Sequence, residues 1–271
     1  MSSRSPALTR RATLAMGALA LAAGRASANP VERPDFAAAL KEADLTGTFV
    51  LIDGRTGSVQ VADAARAGRR YVPASTFKIP NSLIALEAGA VRDENEVVPY
   101  GGKPQFIKAW ERDMPLKEAL PASSVPVYQE IARRVGLERY REWLAKFDYG
   151  NRETGAVVDR FWLDGPLTIS AVEEARFNLR LVRGELPVAP RTRSIVRDLL
   201  KLESAGEAVL YGKTGWFAKR GETSIGWWSG WVERAGEIHA FALNIDMPQV
   251  EMAPKRVAAG KAILKLAGIY G

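Results

Sequence analysis

The chain has 271 residues, of which 47% are apolar and 25% charged, and it contains one histidine and no cysteine. This length suits one large domain or two modest ones, and the balance is that of a globular protein. The absence of cysteine excludes disulfides, cysteine nucleophiles, iron–sulfur clusters and cysteine-based zinc sites. A single histidine excludes a three-histidine metal site, and it indicates that a hydrolytic site here uses another general base.

The formal net charge of +7 comes largely from the first 28 residues. They hold four arginines and no acidic residue, with a small apolar run at residues 14–23 and the sequence Ala26-Ser27-Ala28 at the end. This is the pattern of an export signal, and Arg10-Arg11 leaves the twin-arginine route open beside the general secretory route. Cleavage after Ala28 leaves residues 29–271, with 34 basic and 31 acidic side chains and therefore a charge of +3. We expect an exported, periplasmic protein.

The basic residues of the mature chain are scattered and form no stripe that would attract nucleic acid. No second segment is apolar over a length that spans a membrane. We therefore expect neither a nucleic-acid partner nor a membrane-bound mature form. The sequence leaves the oligomeric state undetermined.

Hydrophobic patterning and turn residues predict the secondary structure in chain order. The predicted elements are a helix over residues 34–44, strands over 48–53 and 58–62, mostly helices from about 73 to about 190, strands over 212–217, 224–232 and 238–247, and a helix over 257–266. Strands at both ends of the chain predict an antiparallel sheet flanked by helices, in the α/β (α+β) class. We expect a sheet lobe from about 29–70 and 200–271, an inserted all-helical lobe at about 71–199, and a site in the groove between them.

The sequence Ser75-Thr76-Phe77-Lys78 begins a helix that is predicted to run to Glu87. A spacing of three residues places Ser75 and Lys78 on one helix face, one turn apart. Free N–H groups at the helix start favour negative charge there, and a neutral or modified lysine is able to take the serine proton. The alternative is a capping serine with a surface lysine, as in a secreted binding module without enzymatic activity.

Two further motifs offer polar groups to a ligand. Lys213-Thr214-Gly215 lies inside a predicted strand and presents an ammonium, a hydroxyl and an unencumbered backbone to an anionic, amide-bearing ligand. A strand-end turn with a solvated lysine is the other interpretation. Ser123-Ser124 lies between two predicted helices, where a hydroxyl either passes a proton in a cleft or caps a turn.

The order of the motifs is more specific than any one of them. In chain order, the motifs are S-T-F-K (75–78), S-x-V (123–125), Y-G-N (149–151), F-W-L (161–163), K-T-G (213–215) and G-W-W-S-G-W-V-E (226–233). This series resembles the class D, or oxacillinase-type, serine β-lactamases over almost the whole mature chain. The resemblance implies the fold shared by serine β-lactamases and penicillin-binding proteins, and a small-molecule β-lactam as the substrate.

The resemblance implies a catalytic role for four residues. Ser75 would be the nucleophile that opens the β-lactam ring, so that hydrolysis of the acyl-enzyme gives resistance to the antibiotic. Lys78 would be an N6-carboxylysine, formed with carbon dioxide or bicarbonate, and the general base; no other cofactor and no metal is implied. Ser123 would relay a proton to the leaving ring nitrogen, and Lys213 would face the substrate carboxylate.

The resemblance also implies a set of substrate-binding residues. They are Val125, Trp162, Thr214, Gly215, Trp216 and Arg256. The N–H groups of Ser75 and Trp216 would form an oxyanion hole. Only a neutral amine reacts with carbon dioxide, so Lys78 needs an apolar pocket that lowers its pKa. Phe77, Val125, Trp162 and Leu163 are the candidates for that pocket, and the Trp162 indole N–H would hold the carbamate.

Two alternatives share the resemblance: a β-lactam sensor domain, which is acylated but deacylates slowly, and a penicillin-binding transpeptidase. Such sensors normally follow transmembrane helices, and transpeptidases are longer and membrane-anchored. The chain departs from the family at Ser124, where a cysteine is frequent, and Trp216 is a large residue after K-T-G. The single histidine, His239, lies in an alternating apolar strand, and we predict a structural role for it.

Overall fold

The computed structural model describes residues 1 and 29–271, so the predicted export signal, apart from Met1, lies outside the described residues. The described residues form nine helices: α1 (Pro34–Glu42), α2 (Ala64–Gly68), α3 (Lys78–Glu87), α4 (Leu116–Ala119), α5 (Val125–Val135), α6 (Leu137–Phe147), α7 (Ala171–Arg183), α8 (Pro190–Leu199) and α9 (Ala253–Leu266). They also form eleven strands: β1 (Val31–Glu32), β2 (Gly47–Asp53), β3 (Val59–Val61), β4 (Arg70–Tyr71), β5 (Val97–Val98), β6 (Met114–Pro115), β7 (Ile169–Ser170), β8 (Lys201–Ala205), β9 (Ala208–Phe217), β10 (Ile225–Arg234) and β11 (Glu237–Asp246). Short 3₁₀ turns lie at Ala74–Phe77, Lys108–Trp110 and Val250–Met252.

A seven-stranded sheet organises the molecule, in the order β1-β3-β2-β11-β10-β9-β8. The two ends of the chain meet where β11 pairs antiparallel with β2 and Phe241 lies opposite Leu51. The prediction of one sheet built from both termini is therefore confirmed. The sheet is mixed rather than wholly antiparallel, because β1 pairs in parallel with β3. With only two residues, β1 is too short to show a hydrophobic pattern in the sequence.

The hairpin of β10 and β11 supplies core residues to both faces of the sheet. Its turn lies at Ala235-Gly236, as predicted, and both residues have positive φ angles, 49° and 80°. Side chains alternate along a strand, so Trp227 and Trp231 of β10 face one side and Trp228 faces the other. All three indoles are buried.

Helices cover the two faces of the sheet. On the Trp228 face lie α1 and α9, where Gly260 of α9 approaches the indole so closely that a Cβ would lie 2.4 Å from the Trp228 ring. On the opposite face lie α7 and the helices of the inserted region, whose apolar side chains join Trp227 and Trp231 in one core. No helix among the described residues has the length and apolar character needed to cross a bilayer.

The inserted region differs from an all-helical lobe in two ways. It carries short two-stranded pairings, β4 with β7 and β5 with β6, each of two residues per strand. In addition, α7 packs directly on β2, β10 and β11, so it forms part of the layer that covers the sheet. The division of the chain into two lobes at about residues 70 and 200 stays a prediction.

The edge of the sheet at β9 is open where the K-T-G motif lies. The sequence pattern does not predict β8, whose side chains are mostly exposed, and β8 pairs with β9 only as far as Tyr211. Within the described residues, no strand pairs with β9 beyond Tyr211 on this side. Gly212 still donates its backbone N–H to the Leu200 carbonyl at 2.9 Å, so the strand edge that pairs with no other strand begins at Lys213.

Candidate active site

Ser75 lies in the 3₁₀ turn that leads into α3, rather than in a regular helix from its first residue. Ala74, just before it, has a left-handed φ of 50°, which is costly for a residue with a Cβ. Pro80 falls in the first turn of α3, where no backbone N–H is required of it. Ser75 is half-buried between the buried Ala74 and Thr76. The turn therefore leaves the serine hydroxyl accessible on a rigid base.

Lys78 is fully buried, and its Nζ donates a hydrogen bond to Ser75 Oγ at 2.8 Å. The ring of Tyr128 lies 5.2 Å from the same nitrogen. Burial, together with the charge of Lys213, lowers the pKa of Lys78 well below that of a free lysine. The lowered pKa favours the neutral form of the amine, and the 2.8 Å contact with Ser75 Oγ places it to accept the serine proton.

An aromatic cluster forms around Phe77, the residue that precedes Lys78. Phe77 stacks on Trp162 with 5.6 Å between ring centroids and meets Phe161 edge-on at 5.2 Å. Val125 and Leu163 are half-buried at the rim of this group. The Trp162 Nε1–H is buried and has no hydrogen-bond partner among the described residues. A buried donor without a partner is costly, so this indole, whose ring stacks on Phe77, indicates a place for an acceptor.

Ser123 faces Lys213 from the loop before α5. Its φ is 56°, again left-handed, and its Oγ accepts a hydrogen bond from Lys213 Nζ at 3.0 Å. Lys213 also donates to the Thr214 carbonyl at 2.8 Å. Burial and the positive charge of Arg256 lower the pKa of Lys213 to about 7. Serine and lysine thus form a pair that is able to carry a proton near neutral pH.

Gly215 allows β9 to pass directly beside the Ser75 turn. A Cβ at this position would lie 2.9 Å from the Pro73 carbonyl oxygen and 3.3 Å from the Ser75 nitrogen, so a larger residue would push the two segments apart. Trp216 follows on the same strand, and its indole donates to the Met247 carbonyl at 3.2 Å. The backbone of Trp216 is thereby held next to the Ser75 turn.

Arg256 adds a second cation at the open edge of β9. It lies in the first turn of α9, and its Nη1 donates to the Gly215 carbonyl at 2.7 Å. Burial lowers the pKa of Arg256 to about 10, and its Nε is buried with no partner among the described residues. Together with Lys213 and the half-buried Thr214, it makes an edge suited to an anionic group.

The remaining motif residues support the site rather than line it. Asn151 donates through Nδ2 to the Pro166 carbonyl at 2.8 Å and accepts from the Thr168 N–H at 2.9 Å, which fixes the loop that carries F-W-L. Ser124 is buried, and its hydroxyl has no partner in the part of the chain that the structure describes. His239 pairs in register with Asp53 and Val232, at the end of β10 and β11 away from the Ser75 turn. Among residues 1 and 29–271, no group of three His, Asp or Glu residues is arranged to hold a metal ion.

The predicted residues come together where the edge of β9 passes the Ser75 turn, and we call the space between these two segments the groove. Ser75 and Lys78 belong to one side of it and Lys213, Thr214 and Arg256 to the other, and Lys213 also contacts Ser123. Sequence reasoning missed Glu174, a fully buried carboxyl of α7 that receives hydrogen bonds from Tyr149 and Ser229. Its position beside Glu173 in a first helical turn is typical of exposed acids, so the sequence contains no signal of its burial.

Comparison with known proteins identifies the family. The penicillin binding protein transpeptidase domain matches residues 47–265. Beta-lactamase OXA-5 of Pseudomonas aeruginosa is 41% identical over 82% of this chain and 84% of its own length. Beta-lactamase OXA-48 of Klebsiella pneumoniae is 44% identical over 74% of this chain and 75% of its own length. The chain belongs to the class D β-lactamases.

Solved structures agree with this family assignment. The class D β-lactamase FUS-1 (OXA-85) of Fusobacterium nucleatum subsp. polymorphum superposes with a TM-score of 0.86, at 36% identity, over 89% of this chain and 100% of that one. The class D β-lactamase YbXI of Nostoc gives 0.83, at 34% identity, over 86% and 98%. The class D β-lactamase described here therefore has the serine β-lactamase and penicillin-binding-protein fold predicted from its motifs.

Proposed function

We propose that this chain hydrolyses the amide bond of β-lactam antibiotics through an acyl-enzyme on Ser75, and that this activity gives resistance to them. The observation that carries the proposal is the 2.8 Å contact between Ser75 Oγ and the fully buried Lys78 Nζ. A serine becomes a nucleophile when a base takes its proton, and the neutral Lys78 amine is the only nitrogen base that touches it among the described residues. Family membership supports the same reaction.

A carbamate on Lys78 completes the proposal. Its formation joins the neutral amine nitrogen to the carbon of carbon dioxide and releases one proton, and the low pKa of Lys78 supports this step. The unpartnered Trp162 indole N–H fits a carbamate oxygen. Bound in this way, the carbamate supplies the general base for acylation and for the water that deacylates Ser75. This explains a hydrolase in which the single histidine, His239, lies away from the groove.

The other residues of the groove orient the substrate and move its protons. The substrate carboxylate faces Lys213, Thr214 and Arg256, where charge-assisted hydrogen bonds hold it. When Ser75 attacks, negative charge develops on the carbonyl oxygen, and we assign its stabilisation to the N–H groups of Ser75 and Trp216.

The leaving ring nitrogen takes a proton from the Ser123 hydroxyl. Lys213, 3.0 Å from that hydroxyl, returns the proton to Ser123. With its pKa near 7, Lys213 is able to give up this proton at neutral pH. Val125, Gly215 and the Trp216 ring complete the lining of the groove.

Export to the periplasm is part of the proposal. The support is the arginine-containing, apolar and small-residue sequence over residues 1–28. Expression of the full chain in a bacterium should give a periplasmic protein whose mass corresponds to a start at Asn29. A full-length cytoplasmic protein contradicts export.

The test of the function is stopped-flow kinetics with a chromogenic cephalosporin, followed by intact mass measurement. We expect a burst followed by sustained turnover, and a mass increase that matches one acyl group on the wild type but not on Ser75→Ala. A stable mass increase with a burst and no turnover identifies a sensor-type or penicillin-binding protein instead. No mass increase and no turnover contradicts the serine acyl-enzyme altogether.

A further inference from the structure

Glu174 is a buried carboxyl group for which the reaction outlined above has no use. Its side chain is fully buried on the face of α7 that packs against the sheet. None of the ion pairs of the described residues involves it, whereas its neighbour Glu173 pairs with Arg70 of β4 at 3.0 Å. A buried charge without a counter-charge is expensive, so this position demands an explanation.

Three hydroxyl groups surround the Glu174 carboxyl. Tyr149 Oη donates to Oε2 at 2.7 Å, and Ser229 Oγ lies 3.0 Å from Oε1. The Thr76 hydroxyl forms hydrogen bonds with both Glu174 and Tyr149, which lower the pKa of each group. It also donates to the Pro73 carbonyl at 2.9 Å. Thr76 directly follows the nucleophile Ser75. One carboxyl therefore connects the Ser75 turn, the Y-G-N loop and the middle of β10.

The connection extends to the second wall of the groove. Ser229 of β10 lies directly opposite Lys213 of β9, so both side chains point to the same face of the sheet. Farther along this row, β11 and β2 contribute Ala242 and Val50, which carry no charge. Glu174 thus lies behind both catalytic walls without touching the substrate groove.

The surroundings favour the protonated form of Glu174. Burial raises the pKa of its carboxyl and the charge of Glu173 raises it further, while the hydroxyl hydrogen bonds act in the opposite direction. Three nearby cations are engaged by other groups. Arg70 pairs with Glu173, Arg66 of α2 donates to Asn244 and Asp246, and Lys213, opposite Ser229, donates to Ser123 and the Thr214 carbonyl. Burial also raises the pKa of Tyr149 well above its usual value, so the phenol keeps its proton.

The hydrogen bonds leave one acceptor for a carboxyl proton. Tyr149 and Ser229 each donate a hydroxyl proton to Glu174, whereas Thr76 donates its own to Pro73. The Thr76 oxygen therefore still has lone pairs available to accept a hydrogen bond. A neutral carboxyl has one O–H to donate to this oxygen, which a carboxylate lacks.

We propose that Glu174 is a positioning residue that works as a neutral acid, holding the Ser75 turn, the Tyr149 loop and β10 in register behind the groove. Because it does not touch the substrate, its loss should slow acylation and leave KM nearly unchanged. An amide of the same shape should replace it, since a neutral donor and acceptor is what the position needs.

The first test is thermal unfolding of wild type, Glu174→Gln and Glu173→Gln at pH 4.5 and pH 8. The unfolded glutamate titrates near 4.5. Because folding raises the pKa of Glu174, its contribution to the stability of the wild type is lost as the pH rises above that value, and the Glu174→Gln protein lacks this loss. We expect the Tm of Glu174→Gln, measured relative to that of the wild type, to be several degrees higher at pH 8 than at pH 4.5.

Glu173→Gln is the matched control with the opposite sign. Folding lowers the pKa of Glu173, through its hydrogen bonds to Arg70 and Ser170, so its contribution to stability grows as the pH rises. The Tm of Glu173→Gln should therefore fall relative to wild type over the same interval. A Glu174→Gln protein that is unchanged or falls in the same way overturns the neutral-acid assignment.

The second test is the acylation rate, and it rests on the proposed function of Ser75. Glu174→Gln should acylate within about threefold of wild type, and Glu174→Ala at least tenfold more slowly with KM within about threefold. Equal rates for Glu174→Ala and wild type, or an equally slow Glu174→Gln, overturn the positioning role. If Glu174→Ala does not fold, the acylation rate of Glu174→Gln decides the positioning role: a rate within about threefold of wild type supports it, and a rate at least tenfold slower overturns it. Failure of the wild type to acylate would reject the proposed function, while the unfolding test of Glu174 would still apply.

Discussion

The two lysines of the groove are both buried beside a serine, yet they lie in opposite surroundings. Lys78 is fully buried, touches Ser75 and lies 5.2 Å from the Tyr128 ring, and the preceding residue, Phe77, stacks on Trp162, whose indole N–H has no partner among the described residues. Lys213 lies at an open strand edge beside Arg256 and touches Ser123 and a backbone carbonyl. The pKa of Lys78 falls far below its usual value, whereas that of Lys213 falls to about 7.

This difference separates two tasks that one amine cannot perform together. An amine whose pKa is lowered well below that of a free lysine is suited to react with carbon dioxide and to act as a base. An amine that titrates near pH 7 binds an anion when protonated and gives up a proton readily. Burial is the main cause of both shifts, and a neighbouring cation adds to each: Lys213 for Lys78, and Arg256 for Lys213.

The largest expected effect comes from Lys78→Ala. Removing the base should lower kcat by about 10³-fold, in the range of general-base catalysis, because both acylation and deacylation depend on it. Steady-state kinetics with and without bicarbonate checks this, and bicarbonate should restore nothing. A circular dichroism spectrum like that of the wild type is the control for folding. Activity within tenfold of wild type would remove Lys78 from the mechanism.

Arg256→Ala should act on binding and not on chemistry. Loss of a charge-assisted contact to the substrate carboxylate costs about 1.5–3 kcal/mol, so KM should rise about 10- to 100-fold. The value of kcat should stay within about threefold, because Ser75 and Lys78 are untouched. Michaelis–Menten analysis of a penicillin separates the two constants, and a fall in kcat alone would place Arg256 elsewhere in the mechanism.

Trp162→Phe keeps an aromatic ring against Phe77 and removes only the indole N–H. If that N–H holds a carbamate on Lys78, kcat should fall about tenfold at ambient carbon dioxide, as for a lost buried hydrogen bond of about 1–2 kcal/mol. Added bicarbonate should recover most of the loss by mass action. The same loss at every bicarbonate concentration would mean that the indole serves packing alone.

The smallest effect is the pH dependence that Lys213 gives to kcat/KM. With a pKa of about 7, its charge is lost as the pH rises, so kcat/KM should fall about fivefold between pH 7 and pH 8. A bound carboxylate raises the pKa of Lys213, so kcat should change less over the same interval. A pH–rate profile of the wild type beside Arg256→Ala checks this, because Arg256 depresses the pKa of Lys213 and its removal should shift the fall to higher pH.

The sequence predicts the parts of the fold that local periodicity determines. Alternation of apolar residues locates β2 and β9 to β11, and helical spacing locates α9 and the relation of Ser75 to Lys78. These predictions hold because a buried strand or helix face repeats its signal over several residues. In contrast, β8 is exposed and β1 has two residues, so only pairing with a distant strand reveals them.

The fine geometry of the site depends on tertiary contacts. Ala74 and Ser123 adopt left-handed φ angles without being glycine or asparagine, and the surrounding packing imposes them. The close approach of Gly215 to the Ser75 turn joins segments 140 residues apart in the chain. In the sequence, Glu174 looks like an ordinary exposed acid in the first turn of a helix, and nothing there indicates that it is buried. Such features are decided by the assembled fold and carry no local signal.

The most direct measurement is a ¹³C NMR spectrum of the protein in ¹³C-labelled bicarbonate. The surroundings of the two lysines predict one slowly exchanging carbamate resonance in the wild type. It should persist in Lys213→Ala, disappear in Lys78→Ala, and weaken in Trp162→Phe. A wild-type spectrum without a carbamate, or a carbamate that is lost in Lys213→Ala and kept in Lys78→Ala, would contradict the assignment of Lys78 as the carboxylated base.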